Sequence, residues 1–320
     1  MKADVAIVIV SYNSSGHLGA CLESVFSQRQ QVSQQVIVVD NNSSDHTVAL
    51  VRSRVPDVDL VLPGTNLGFA RGVNLGVSQA KSDFVLLLNP DTVILNHAID
   101  VIVDFARRNP AAGIYGGRTL KSNGVLEPSC CWGMPTLWSL TMFALGLSTL
   151  FPRNRWLDPE SLGGWQRDSV REVGVITGCF LLASQAVWNE LDGMDERYFM
   201  YGEDVDLAMR ARRAGYHPTI CPDAELVHEV GQSSKTPLHK LILLFGGKAS
   251  LVRTHWRGHA KWLGLFLLAV GTGLRASIHG FCTWFRSEDE AGRWISLWRE
   301  RGTWLQGYAT EPVDRSRVTR

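Results

Sequence analysis

Over residues 5–10 the chain reads VAIVIV, an unbroken β-branched and apolar run that suits a strand covered on both faces. SYNSSG follows as a turn, and HLGACLESVFSQ takes up helical spacing. The alternation then repeats. Residues 36–39 form a second strand ending on Asp40, NNSSDHT supplies capping side chains, and TVALVRSRV is the next helix. VDLVLP reads as a short third strand, the Gly-punctuated segment 64–80 as a turn and helix, and DFVLLLNPDT as a fourth strand stopping at Asn89-Pro90-Asp91. A helix near residues 96–108, a strand in AAGIYGG and a hairpin through SNGVLEPSCC follow. Strand and helix in this rhythm predict an α/β fold with a doubly wound, mostly parallel sheet. Ligands of such sheets bind beyond the carboxyl ends of the strands, where Asp40 and Asp91 stand.

The second half changes character. Residues 135–151 are apolar and poor in charge, short for a bilayer crossing and interrupted by Gly and Ser, which predicts a flexible apolar lip. VREVGVITGCFLLASQAVWNELDGMDE returns to strand and helix and delivers the chain to YFMYGEDVDLAMRARRAGY. There Glu203, Asp204 and Asp206 open a run of helix formers that closes at Gly215, placing acid at the positive helix end and Gly at the stop. Capping alone accounts for such acids. The aromatic approach YFMY offers the alternative of an apolar wall, against which a carboxylate gains proton affinity and can serve as a base. Asp206 and Arg210, four residues apart, read as a structural ion pair. YHPTICPDAELVHEVGQSS is strand and loop, and the tail is rich in helix. Within it, residues 262–281 are hydrophobic, carry Gly264, Gly271 and Gly273, and follow basic Arg253, Arg257 and Lys261. This segment is either a buried helix or an interfacial helix on an anionic membrane.

Composition sharpens two points. With 45% hydrophobic and 20% charged residues the 320-residue chain can bury one large core or two modest ones, and its net charge of +1 conceals a basic tail: from Gly231 onward there are 14 Lys and Arg against 6 Asp and Glu. The six cysteines lack a CxxC pair, so neither a zinc site nor a disulfide framework is indicated and a reducing cytosol fits. The six-residue apolar run near the N-terminus is too short for a secretory signal. GxGxxG is absent, since GFARGVNLG has the wrong spacing and follows the third strand, which excludes a dinucleotide site.

The ordered blocks VSYN, VVDNNSSD, NLGFARGVNLG, LLLNPDT, TGCFLLA, DERYFMYGEDVDLAMRARRAGY and LVHEVGQSS resemble the family 2 inverting glycosyltransferases, in particular their rhamnosyltransferase-like branch. The resemblance implies a GT-A nucleotide-sugar-binding domain over residues 1–235, with a nucleotide-sugar part (1–120) and an acceptor and catalytic part (121–235). Residues 236–320 would then be a helical, membrane-associating tail. It implies that Asp40 bonds the nucleotide base beside Ser11 and Tyr12. Asp91 would be the metal-binding acid of a DxD motif whose first acid is here Asn89. His228 would complete a site for Mg²⁺ or Mn²⁺, favouring Mn²⁺ because imidazole suits the softer ion. Asp204 would be the catalytic base, with Glu203 holding acceptor or base. In the Gly-rich segment Asn66, Gly68 and Arg71 are donor-binding candidates, with Gly68 and Gly72 allowing close backbone approach and Arg71 reaching the diphosphate.

The absence of a QxxRW motif favours addition of a single sugar. The implied reaction is transfer of L-rhamnose from dTDP-L-rhamnose to a polyprenyl-diphosphate-linked cell-envelope glycan at the cytoplasmic face of the membrane. A UDP-linked galactofuranose or hexose donor is the near alternative. A sugar nucleotidyltransferase should show a Gly-rich phosphate loop after the first strand, which SYNSSGH is not, and a non-catalytic binding module should lack Asp91 or Asp204.

Overall fold

The computed structural model describes residues 2–28, 31–54, 57–228, 237–281 and 288–308. In chain order the elements are β1 (Ala3–Ser11), α1 (Leu18–Ser27), β2 (Gln34–Asp40), α2 (Thr47–Arg54), β3 (Val58–Val61), α3 (Phe69–Ser78), β4 (Ser82–Leu88), β5 (Thr92–Ile94), α4 (Ala98–Arg108), β6 (Ile114–Leu120) and β7 (Cys131–Trp132). There follow α5 (Leu137–Ala144), α6 (Leu147–Leu150), β8 (Arg171–Glu172), β9 (Val175–Ile176), β10 (Phe180–Ser184), α7 (Gln185–Glu190), α8 (Glu203–Arg213), β11 (Thr219–His228), α9 (Pro237–His255), α10 (Gly258–Phe281), α11 (Glu288–Arg299) and α12 (Arg301–Trp304). They divide into two compact units. The first comprises Met1–Met134, Trp165–Asp195 and Asp204–Ser233; the second comprises Pro135–Gly164, Glu196–Glu203 and Ser234–Arg320. The boundary near residue 235, and the part of LVHEVGQSS beyond His228, lie outside the described residues.

The first unit is built on one mixed sheet of order β3-β2-β1-β4-β10-β6-β11-β5, with β8 added on β11. β1 runs parallel to β2 and β4, whereas β10 is antiparallel to β4 and β6, and β11 is parallel to β6 but antiparallel to β5. VAIVIV lies within the sheet and is buried throughout, each of its Val and Ile side chains contributing about 1.5–3 kcal/mol on leaving water. Between Ile220 and Glu225 the register of β11 shifts against β6: five steps along β11 match two along β6, from Gly116 to Arg118. Such a bulge re-aims every side chain beyond it. On the sheet face α3 sits very close, because a Cβ at Gly76 would meet Val8 Cγ1 at 2.5 Å and one at Gly72 would meet Val10 Cγ1 at 2.9 Å. These two glycines serve helix-to-sheet contact, and Gly72 approaches Val10.

The second unit is helical. Leu140, Phe245, Ala249, Val252, Leu265, Leu268, Leu297 and Trp304 form its core, with the Phe245 ring centroid 5.4 Å from that of Trp304 and 5.8 Å from that of Phe143. Residues 135–151, expected as a flexible lip, are helical instead. Thr136 and Ser139 form a reciprocal capping box that starts α5, and Gly146 (φ +75°) turns the chain into α6. Apolar side chains of α5 supply part of the core, which gives the segment a reason to be ordered. The aromatic stretch before Gly202 also belongs to this unit: the Tyr198 and Tyr308 rings meet edge to face at 5.7 Å, and the Tyr308 hydroxyl donates to the Met200 carbonyl.

Candidate active site

Two loops at the carboxyl ends of β1 and β2 are laced together. The parallel register places Ser11 opposite Asp40, and the next residues interlock as Asn41 N–H donates to Ser11 O (2.8 Å), Asn13 N–H to Ser43 Oγ (2.8 Å) and Ser44 N–H to Asn13 Oδ1 (2.8 Å). Ser14 and Ser15 N–H donate to Thr47 Oγ1 and Asp45 Oδ2. Asp45 also accepts from the Thr47 hydroxyl and N–H; burial opposes its charge, but these donors outweigh it and bring its carboxyl down to about 2. Asp40 is buried, with Oδ1 taking the Ser43 N–H (2.9 Å) and Oδ2 the Ser43 hydroxyl (2.6 Å), so each oxygen keeps one further lone pair. The Ser11 hydroxyl and Asn41 Oδ1 are buried without a hydrogen-bond partner, which for polar atoms in a core calls for an explanation. Tyr12, in the same loop, is half-buried.

Asn41 continues the network by donating to Gly68 O (2.9 Å), at the head of α3. There exposed Asn66 accepts the Gly68 N–H (2.9 Å) in a side-chain turn, and Gly68 takes φ +80°, a conformation that glycine supplies without strain. Arg71 lies half-buried on the first turn of the helix. One turn further Asn74 both donates to Met194 O (2.8 Å) and accepts from Met194 N–H (3.0 Å). The same loop is held from α8, where Arg210 pairs with buried Asp206 at 2.7 Å and donates to the carbonyls of Leu191 and Gly193. Asp206 and Arg210 are thus the structural pair that their spacing predicts.

β4 ends at Leu88, and Asn89-Pro90-Asp91 crosses to β5. Antiparallel pairing of β5 with β11 sets His228 opposite Thr92, so its ring lies beside the preceding residue, and Nε2 is 3.4 Å from Asp91 Oδ1 with both side chains less than a tenth exposed. Burial pulls the imidazole toward neutrality, but the Asp91 carboxylate and the neighbouring Cys179 sulfur outweigh it and carry His228 up to about 10. Asp91 Oδ1 has no hydrogen bond. Among the described residues no group of three His, Cys, Asp or Glu side chains converges on a metal position. An ion there would displace the proton that His228 otherwise carries, take Asp91 and the imidazole from the protein, and take its other ligands from solvent or a bound diphosphate, as Mg²⁺ does on phosphates. The residues fit that role.

Asp204 stands in the first turn of α8, where its Oδ1 accepts the Val205 N–H at 2.8 Å. Loss of solvation pushes its carboxyl up to about 6, against opposing backbone donors that include the Gly178 N–H. Glu203, one residue earlier, is buried.

The tripeptide Thr177-Gly178-Cys179 has a place in this site that its sequence does not announce. Gly178 N–H faces the Asp204 carboxylate, and the Cys179 carbonyl accepts the Asn89 N–H (3.1 Å). A Cβ on Gly178 would lie 2.8 Å from the Phe69 ring of α3. Thr177 anchors the run, its N–H donating to Cys130 O (3.0 Å) and its hydroxyl to Ser129 O (2.9 Å). One strand end therefore touches α3, the Asn89–Asp91 loop and the head of α8. Beyond its place in the block TGCFLLA, a glycine opening an apolar strand run is the local sequence signal for this role.

The chain belongs to glycosyl transferase family 2, whose profile matches residues 6–156. It is 34% identical over 277 residues to the N-acetylglucosaminyl-diphospho-decaprenol L-rhamnosyltransferase of Mycobacterium tuberculosis, across 80% of this chain and 87% of that one. A low-salt glycan biosynthesis hexosyltransferase of Haloferax volcanii is 23% identical across 71% of this chain and 68% of its own. Among solved structures, the mannosyltransferase of Pyrobaculum calidifontis with GDP-Man and Mn²⁺ matches with a TM-score of 0.54 at 16% identity, covering 96% of this chain and 84% of that one. TarS of S. aureus with UDP-GlcNAc matches with 0.52 at 15% identity, covering 94% and 81%. The fold is of the GT-A type, and the protein is a glycosyltransferase.

Proposed function

We propose that this enzyme transfers a single L-rhamnose, with inversion, from dTDP-L-rhamnose to a polyprenyl-diphosphate-linked cell-envelope glycan, working as a peripheral protein at the cytoplasmic face of the membrane. The observation that carries this reading is the 34% identity, over most of both chains, to a rhamnosyltransferase named for a decaprenol-diphosphate acceptor. Residues 1–235 form the catalytic part and 236–320 the membrane-associating tail.

The donor's base enters the laced loops after β1 and β2. Ser11 and Asn41 have unspent hydrogen-bonding capacity there, Asp40 keeps one lone pair on each oxygen, and Tyr12 lines the same pocket. Asn66, Gly68 and Arg71 attend the diphosphate together with Asn89. Asp91 and His228 would hold Mg²⁺ or Mn²⁺, which when bound would offset the charge that develops on the departing nucleoside diphosphate. Asp204 accepts the proton of the acceptor hydroxyl as that oxygen bonds to the anomeric carbon. The bond from the anomeric carbon to the diphosphate oxygen breaks with its electron pair on the diphosphate. One carboxylate suffices because no glycosyl-enzyme bond forms. Glu203 holds the acceptor or steadies Asp204.

Purified protein screened for thermal stabilisation and turnover with dTDP-, UDP- and GDP-sugars tests the reading. A preference for dTDP-L-rhamnose is expected. A UDP preference replaces the rhamnose with a hexose or galactofuranose, and a GDP preference overturns the donor assignment.

A further inference from the structure

From Trp262 onward along α10, exposed and buried residues separate without overlap. At about 100° per residue, exposed Trp262, Phe266, Val270, Leu274, Ile278 and Phe281 fall within one arc of about 160°. Buried Gly264, Leu268, Gly271 and Arg275 fall in the opposite arc. The exposed residues include the bulkiest on the helix, Phe266 at 61% and Trp262 at 64%. An apolar stripe that runs the whole length of a 24-residue helix marks an interaction surface, not scattered exposure.

By length and hydropathy α10 could cross a bilayer. Its buried arc argues against that. Gly264 and Gly271 admit Trp256 and Phe143 where a side chain would collide. Arg275 donates to the carbonyls of Phe143 and Gly271 (2.9 Å each) and to the Thr149 hydroxyl (2.7 Å), with its guanidinium 4.0 Å from the Phe143 ring centroid. Crossing would strip these partners away and turn a charged side chain toward lipid. The same contacts hold the turn between α5 and α6 against α10, with Gly146 near Leu274.

Charge identifies the partner. Residues 231–287 carry eight Lys and Arg and no Asp or Glu. Arg253 and Arg257 are exposed just before or at the head of α10, and the Lys261 ammonium lies 5.4 Å from the Trp262 ring centroid. Cations grouped with Trp at one end of an apolar helix match the headgroup level of an anionic bilayer. A second copy of this chain would set like charge against like.

We infer that α10 lies in the plane of an anionic bilayer, its exposed arc among the upper acyl chains, and does not cross. The inference deepens the proposed lipid-linked chemistry by naming the surface on which the enzyme meets its acceptor.

The full chain, without donor or acceptor, is floated with phosphatidylcholine vesicles with and without phosphatidylglycerol. Flotation is expected with the anionic vesicles, several-fold weaker with the neutral ones and only partly released by high salt. Phe266→Glu with Val270→Glu should abolish it while leaving thermal unfolding and dTDP binding unchanged. A single fluorophore attached through Trp262→Cys, Val270→Cys or Ile278→Cys, quenched by brominated lipids, should report one common depth. A depth graded from residue 262 to 278 would mean crossing and overturns the inference, as does flotation indifferent to the glutamates. Absent flotation with a dimer that the glutamates dissolve would assign the face to a second copy, again overturning it. Loss of dTDP binding with flotation intact would sink the transferase reading alone.

Discussion

The two units depart from ordinary burial in opposite directions. The first buries polar groups: Ser11, Asp40, Asn41 and His228 are nearly inaccessible. The second leaves Trp138, Leu150, Phe266 and Phe281 in the open. A buried polar group and an exposed apolar patch are the two informative exceptions to the usual partition. The first kind suits a small polar ligand that completes hydrogen bonds, the second an extended apolar partner that asks for area. If the contrast is functional, changes in one unit should leave the other's behaviour intact.

The largest expected effect lies in the first unit. Asp204→Asn should reduce turnover by about 10²- to 10⁴-fold while donor affinity stays within a few fold, checked by steady-state rates and donor titration. More than a tenth of wild-type turnover would remove Asp204 from the base role. The wild-type enzyme should carry the matching pH signature. Because burial raises the Asp204 carboxyl to about 6, kcat/KM should climb as pH rises through that value and then level. Folding runs the other way: a carboxyl raised on folding favours the native state below its unfolded value, and that contribution is lost as pH climbs through about 6.

Next in size, Asp91→Ala should weaken metal-dependent donor binding by an order of magnitude or more, roughly the 10- to 100-fold seen when a metal site loses support, with His228→Ala weaker or shifted toward Mg²⁺. Calorimetry with each ion checks this, and isotherms matching wild type would dismiss the site. In the second unit Arg275→Ala removes the guanidinium donor to the Thr149 hydroxyl and one of the donors to the Phe143 carbonyl, which keeps the Gly146 N–H, and should destabilise by about 1–3 kcal/mol. Denaturant unfolding measures that loss, and unchanged donor affinity would keep the two behaviours separate. The smallest effect is expected for Gly178→Ala, a few-fold loss in kcat with little change in KM, because the new methyl must displace the Phe69 ring beside the Asp204 contact. A loss confined to KM would place Gly178 in binding, not positioning.

The strands of the first unit were readable because β1 and β4 are continuous apolar runs that sheet burial on both faces demands. The Asp206 and Arg210 pair was readable because helical spacing alone brings it together. His228 lies against Asp91 through the pairing of β11 with β5. Three features resisted. Gly72 is recognisable as a close-approach residue, but a sequence does not say that the approaching group is Val10. Residues 135–151 look loose in isolation and become helices because α10 offers them a face, with Gly271 making room for Phe143. Thr177-Gly178-Cys179 gains its meaning from Phe69, Asn89, Ser129 and Asp204, which stand tens of residues away in sequence and follow no local period.

The shift in β11 has a consequence for what kind of change the chain can absorb. Side chains on a strand alternate between faces, so the phase of the last four residues is fixed by how many residues loop out before Glu225. Removing one of them would put His228 where Val227 stands, on the opposite face of the sheet and away from Asp91, without altering a single residue of the site. A substitution at exposed Asp223 leaves that phase unchanged, whereas an insertion or deletion within residues 221–224 does not. This short stretch works as a ruler for the Asp91 and His228 pair, and its length carries the information that its letters do not.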